Sequence, residues 1–175
     1  TGVPDALSGS TMLADVKYAP ELVSSLNFTE MLGGVMNGSM GEISAFALIL
    51  GGLYLLCRRV ISWHIPVAVL ATMAIFAACL GIGKGSLIYE LPLFHILAGG
   101  ALLGAIFMAT DYSTSPMTHK GMLIYGVGIG VITMIIRLWG AYPEGMSFAI
   151  LLMNAVTPLI NKYVKPKRFG LMSVK

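Results

Sequence analysis

The sequence predicts an all-α, polytopic membrane protein of about five transmembrane helices. Three observations predict it. Of the 175 residues, 57% are hydrophobic and only 11% are charged, with a mean hydropathy of +0.84; soluble domains carry about 25% charged residues. The apolar residues gather into runs over 43–56, 65–82, 92–110, 121–139 and 145–163; the last four are near the ~20 residues that a membrane helix needs, and the first approaches it with its flanks. None of these runs alternates apolar and polar residues, as a β-barrel strand would, and open strand edges find no water in a bilayer.

Each element has its own local signals. Residues 1–40 form a polar opening segment, 41–163 the transmembrane domain and 164–175 a basic tail. Pro20 can open a short helix over 20–26, and only one interfacial turn fits between Asn27 and Gly33-Gly34. Asn27-Phe28-Thr29 and Asn37-Gly38-Ser39 match the glycosylation pattern by accident. Ser39-Met40-Gly41-Glu42 has capping-box spacing ahead of the first apolar run, which Cys57-Arg58-Arg59 stops. Trp63 and His64 stand at the start of the second run, with Pro66 in its first turn. Gly81-Ile82-Gly83-Lys84-Gly85 lacks the spacing of a phosphate-binding loop and reads as the turn after the second span. Gly100 and Gly104 make a small-residue face, and Gly126, Gly128 and Gly130 predict another tight helix contact. Pro158 falls near the end of the last run.

His95 and Asn154 lie inside spans, where a polar side chain is expected to bond to a neighbouring helix at about 1 kcal/mol. His64 and His119 fall near span ends and offer His95 no partner for haem, so no metal site is expected. Cys57 and Cys79 are far apart, which indicates neither a disulfide framework nor an iron–sulfur motif. The chain opens at Thr1 with neither a start Met nor a signal peptide, and is expected to be the C-terminal portion of something longer.

Lys and Arg set the orientation. With five spans, Arg58, Arg59, Lys120, Lys162, Lys165, Lys167, Arg168 and Lys175 share one side and Lys17, Lys84 and Arg137 the other, eight against three. The positive-inside rule makes the first side cytoplasmic. The segment around Thr11 is then extracytoplasmic, while loop 111–120 and the C-terminus are cytoplasmic. The net charge of +3 does not imply nucleic acid, because the basic residues sit in short clusters between apolar runs.

Three stretches carry candidate chemistry. Asp5-Ala6-Leu7-Ser8-Gly9-Ser10-Thr11-Met12-Leu13 is a polar turn with three hydroxyls side by side. Glu42 sits at the mouth of the first span, where it can cap the helix or serve ion traffic. Ala109-Thr110-Asp111-Tyr112-Ser113-Thr114-Ser115-Pro116 closes the third span. It reads either as a loop in which Asp111 caps and Pro116 turns, or as a cluster suited to a flavin's polar edge or a dehydrated cation.

The first stretch also resembles the recognition motif of the bacterial flavin transferase, which joins FMN to a threonine through a phosphodiester. Asp5, Ser8, Gly9 and Thr11 fit that pattern, and Ser10 stands where Ala is usual. With residues 38–44, 109–116 and 148–160 it makes four blocks, in family order over nearly the whole chain. These resemble the C-terminal half of the D subunit of the Rnf ion-translocating ferredoxin:NAD oxidoreductase, whose relative is the B subunit of the sodium-pumping NADH:quinone reductase. The family has Pro where Tyr112 stands, and about ten spans in two related halves.

The resemblance implies a covalent FMN on Thr11, with Asp5, Ser8, Gly9 and Ser10 as its recognition residues, and room for a second flavin in the full-length protein. It implies a subunit not active alone, with no catalytic residue of its own, in a bacterial or archaeal cell membrane (the inner one if Gram-negative). Its partners would be the lipid bilayer and other Rnf subunits, one of them flavin-bearing. Asp111 and Glu42 are the candidate ion-coupling carboxylates. A B-type quinone-reductase subunit, a channel-like transporter and a cofactor-free structural subunit are the alternatives.

Overall fold

The computed structural model describes Leu13, residues 32–34, Gly41, residues 44–84 and residues 92–165. Among the described residues there is no strand; every long element is helical. Helix α1 spans Ala45–Cys57 and α2 His64–Lys84. The third apolar run is not one helix. It divides into α3, Pro92–Leu97, then α4, Ala101–Leu103, which continues into a π-helical turn over Gly104–Met108. Helix α5 is His119–Trp139 and α6 is Met146–Tyr163. By length and composition α5 is long and apolar enough to cross a membrane, with a mean hydropathy of 1.9. Its 21 residues extend about 31 Å at 1.5 Å per residue.

The helix starts are set by side chains. Ser44 caps α1, its hydroxyl accepting from the Ala47 amide at 3.4 Å. The expected cap, Ser39, and its partner Glu42 lie outside the described residues, and α1 itself begins beyond them. Thr118 caps α5 by accepting from the Gly121 amide at 3.1 Å. Asp111, expected as a possible cap, lies well before this helix. Residues 81–84, expected to form a turn, continue α2 instead, because an apolar helix already running tolerates glycine at a cost of about 1 kcal/mol each.

Packing centres on α2 against α5. A Cβ on Gly126 would stand 2.6 Å from Ala68 Cβ and 3.1 Å from the Ile65 carbonyl, and one on Gly130 would stand 2.7 Å from Thr72 Cβ. Residue numbers rise together along the contact, so the two helices run parallel. Ile65, Val69, Met73 and Ala77 from α2 meet Tyr125, Ile129 and Met134 from α5 in one core cluster. Ala101, Ala105, Ala109 and the buried face of α6 complete it. Helix α6 runs antiparallel to α5: Gly121 faces Ile160, Gly128 faces Met153, and Thr133 donates to Met146 Sδ at 3.4 Å. The expected role of Asn154 is realised here, as its Oδ1 accepts from the Tyr125 hydroxyl. A second cluster joins α1 (Ala45, Leu48) to the divided segment (Phe94, Leu97, Ala98, Leu102, Ile106), with Leu13 set into it.

This packing separates two glycines of one helix. Gly126→Ala forces a methyl against an immovable Cβ and backbone, so it is expected to cost about 1–3 kcal/mol and lower the apparent Tm in detergent. Gly128→Ala meets only the flexible end of Met153, at 2.6 Å from its Cε, and gains helix propensity, so its Tm should equal or exceed the parent's. Equal destabilisation by both would contradict the α2–α5 contact.

Candidate functional site

Two opposite ends of the bundle carry polar constellations. At one end the third segment breaks. Gly99 takes φ +66, a left-handed conformation that favours glycine, and the chain turns between α3 and α4. A helix break frees carbonyls at the end of the first piece and amides at the start of the second. Arg137, in the last turn of α5 and only 2% exposed, answers the carbonyls. Its Nη1 donates to the His95 carbonyl at 2.6 Å and its Nη2 to the Ala98 carbonyl at 3.1 Å. Glu144, in the connection to α6, answers the other side by accepting from the Gly100 amide. The two side chains form an ion pair at 3.9 Å. A cation thus stands at a helix C-terminus and an anion at a helix N-terminus, the favourable arrangement for both dipoles.

Leu13 belongs to this end. It is 6% exposed and packs beside Phe94, Leu97 and Ala98. A Cβ on Gly99 would run into Leu13 and the Glu144 carboxylate, so the turn is filled from both sides.

At the opposite end, loop 109–118 follows the π-helical turn, in which the Ala109 amide donates to the Gly104 carbonyl at 2.7 Å. The Ser113 hydroxyl donates to Asp111 Oδ2 at 2.6 Å and Thr114 to the same oxygen at 3.3 Å. The Ser113 hydroxyl, foremost, holds Asp111 below the usual carboxylate range, helped by Thr114 and the loop amides and opposed by desolvation. Met117 donates its amide to Asn161 at 3.2 Å, which pins the loop to α6.

This loop parts two cavities. One, of about 620 Å³, lies against α6 and is lined by Ser113, Thr114, Asn154, Thr157 and Asn161 among others. The other, of about 700 Å³, lies against the α1–α2 connection, with Arg59, His64, Thr110, Ser115 and His119 in its wall. Trp63, His64 and His119 form a continuous ring stack there, with centroids 4.3 and 4.4 Å apart. Arg58, Arg59, Lys120, Lys162 and Lys165 are exposed at this same end.

Of the sequence-predicted site residues, Asp111 lies at this loop, exposed and turned onto Ser113 and Thr114; it lines neither cavity, though its neighbours Tyr112 and Ser113 do. Asp5, Ser8, Gly9, Ser10, Thr11 and Glu42 lie outside the described residues. Tyr112, where the resemblance expects Pro, is fully exposed, so packing does not constrain that departure. Sequence reasoning misses the Arg137–Glu144 bridge and the stacking of His64 on His119. The positive-inside count takes Arg137 as a charge beside a span, yet it lies inside the fold. Its signal is present in the sequence: an Arg within an apolar run, and a Gly-Gly pair at 99–100 within another.

Comparison with known proteins identifies the family of the chain. The NQR2, RnfD, RnfE family model matches residues 1–170. The chain is 47% identical over 173 residues to the D subunit of the Na⁺-translocating ferredoxin:NAD⁺ oxidoreductase complex of Acetobacterium woodii, covering 98% of this chain and 52% of that protein. It is 49% identical over 143 residues to the D subunit of the proton-translocating ferredoxin:NAD⁺ oxidoreductase complex of Clostridium ljungdahlii, covering 82% and 43%. The D subunit of the ion-translocating oxidoreductase complex of Pseudomonas paraeruginosa is 39% identical over 168 residues, covering 95% and 49%. The chain spans about half the length of the curated relatives it matches. With the match extending over nearly its whole length, the chain belongs to the NQR2, RnfD, RnfE family.

Proposed function

We propose that this chain is the C-terminal half of a five-plus-five-helix membrane subunit that relays electrons through an FMN joined to Thr11, within a complex coupling ferredoxin:NAD⁺ electron transfer to Na⁺ or H⁺ movement. The family match and the names of the relatives support the complex. The observation that carries the flavin reading is the motif from Asp5 to Thr11; two residues on, Leu13 is buried among Phe94, Leu97 and Ala98 at the broken end of the bundle. Two residues of chain span no more than about 7 Å, so a group on Thr11 would be tethered close to that end. Such a flavin supplies single-electron transfer when bound; the chain's own contribution is the tether at Thr11 and the anchor at Leu13.

The exposed Arg58, Arg59, Lys120, Lys162 and Lys165 at the opposite end support a cytoplasmic assignment for that end. Arg137, being buried, adds nothing to the count on the other side. The Thr11 segment then faces outward. Either ion is compatible with this reading, because the relatives include a Na⁺- and a proton-translocating complex. A B-type subunit of a sodium-pumping quinone reductase is the second reading within the same family, and the electron acceptor of the purified complex separates the two.

In the complex made with an active flavin transferase, intact-mass analysis of the full-length subunit should show one FMN on the peptide carrying Thr11. The addition should vanish in Thr11→Ala with assembly retained. An unmodified Thr11 would sink the flavin reading.

Asp111 is the proposed coupling carboxylate. Asp111→Asn keeps the shape and most hydrogen bonding of the side chain, and should slow ion-coupled turnover roughly tenfold while leaving FMN attachment intact. Because hydrogen bonding depresses this carboxyl, its charge is present at neutral pH and is lost only as pH falls through the lowered value. Ser113→Ala should move that loss to higher pH. Ferredoxin-dependent NAD⁺ reduction measured together with ion uptake in vesicles, across pH, reads both effects. Unchanged turnover and uptake in Asp111→Asn would leave the residue a purely local loop-former.

A further inference from the structure

Membrane transporters place their substrate ions at broken helices. Freed carbonyls at the end of one half-helix take the cation, and the amides at the start of the next take the anionic group. The break between α3 and α4 presents both features, with the carbonyls of His95 and Ala98 on one side and the amide of Gly100 on the other. Here the chain's own side chains occupy both positions.

We infer that the Arg137–Glu144 pair is an ion plug. It seals the break against cation leak, so the ion moved by the complex crosses elsewhere. The inference rests on the reading of the chain as a membrane subunit of an ion-translocating complex, and goes beyond it by assigning this break a barrier role.

Four properties make the guanidinium suited to that role. It cannot be deprotonated in a protein, so no change of working pH removes its charge. It already holds the carbonyls that a dehydrated Na⁺ would need, at 2.6 and 3.1 Å. A second cation brought against it is repelled, as at positively charged constrictions in selective pores. Among the described residues, Leu13 and the Glu144 carboxylate crowd the turn, so closely that a Cβ at Gly99 would run into both. Glu144, with a side chain 33% exposed, balances the charge and fixes the Gly100 amide. The guanidinium, at 1% exposed, is the barrier proper.

The test uses the complete complex, with its full-length subunit, in proteoliposomes without ferredoxin or NAD⁺. Passive influx of radioactive sodium and dye-reported proton influx are followed under an inside-negative diffusion potential. The parent complex should be tight. Arg137→Gln, which keeps an amide donor for one carbonyl and removes the charge, should raise cation influx at least about tenfold. Glu144→Gln, which keeps the acceptor for Gly100 and leaves the guanidinium in place, should stay tight. If Arg137→Gln blocks assembly, Arg137→Gln/Glu144→Gln removes both charges together and should assemble and leak. An assembled Arg137 variant as tight as the parent overturns the inference. So does a Glu144→Gln complex that leaks as fast as Arg137→Gln, which would point to general loosening. The mass of the Thr11 peptide in the same preparations reports separately on the flavin reading.

Discussion

A broken helix in an apolar environment must find partners for the backbone groups it frees. A peptide group left unpaired there costs several kcal/mol, and the turn at Ala98–Gly100 frees them on both sides. The guanidinium of Arg137 supplies two donors from one rigid fork, something a lysine could not do with the same geometry. Glu144 is the weaker partner: its contact with Arg137 is 3.9 Å and its side chain is a third exposed. The short bond to the His95 carbonyl therefore holds the cation more than the carboxylate does. Much of the remaining architecture serves this arrangement. The parallel pair α2–α5 fixes the helix that carries Arg137, and the cluster around Leu97 and Ala98 fixes the carbonyls it reaches.

The two ends of the bundle consequently differ in character. At the broken end the guanidinium of Arg137 is buried and Glu144 is a third exposed. The loop end is open, with two cavities, a stack of three rings and a depressed carboxyl on a hydroxyl-lined turn. A π-helical turn leads into that loop, a feature often found beside functional sites. The two ends thus differ in how their polar groups are satisfied: by the fold itself at the break, and by a local loop network at the other end.

Helix content is legible in the sequence wherever hydrophobicity alone decides it. The runs over 121–139 and 145–163 correspond closely to α5 and α6, and Thr118 and Ser44 are the residue types that cap. The glycines of the fourth run announce close packing, and Gly126 and Gly130 provide it. The break in 92–110 is hidden because mean hydropathy does not register a backbone turn, and glycine pairs also occur in intact membrane helices. Arg137 misleads for a related reason. A charge near the end of a span resembles a topological signal, and only its bonds to His95 and Ala98, 42 and 39 positions away, reveal it as internal. The meeting of His64 and His119 depends on α2 and α5 running parallel, which is a tertiary fact. The flavin motif, by contrast, is wholly a matter of sequence, and Leu13 alone ties it to the described structure.

A double-substitution cycle at Arg137 and Glu144 tests most directly whether these side chains act as one unit across the break. Unfolding free energies would be measured for the parent complex, Arg137→Gln, Glu144→Gln and the pair. A working bridge predicts that the double substitution costs less than the sum of the two single ones, by more than about 0.5 kcal/mol, because each single change strands the other charge. Additivity within that margin would show that the two residues stabilise the turn independently, and would contradict the bridge as the constraint on which this fold depends.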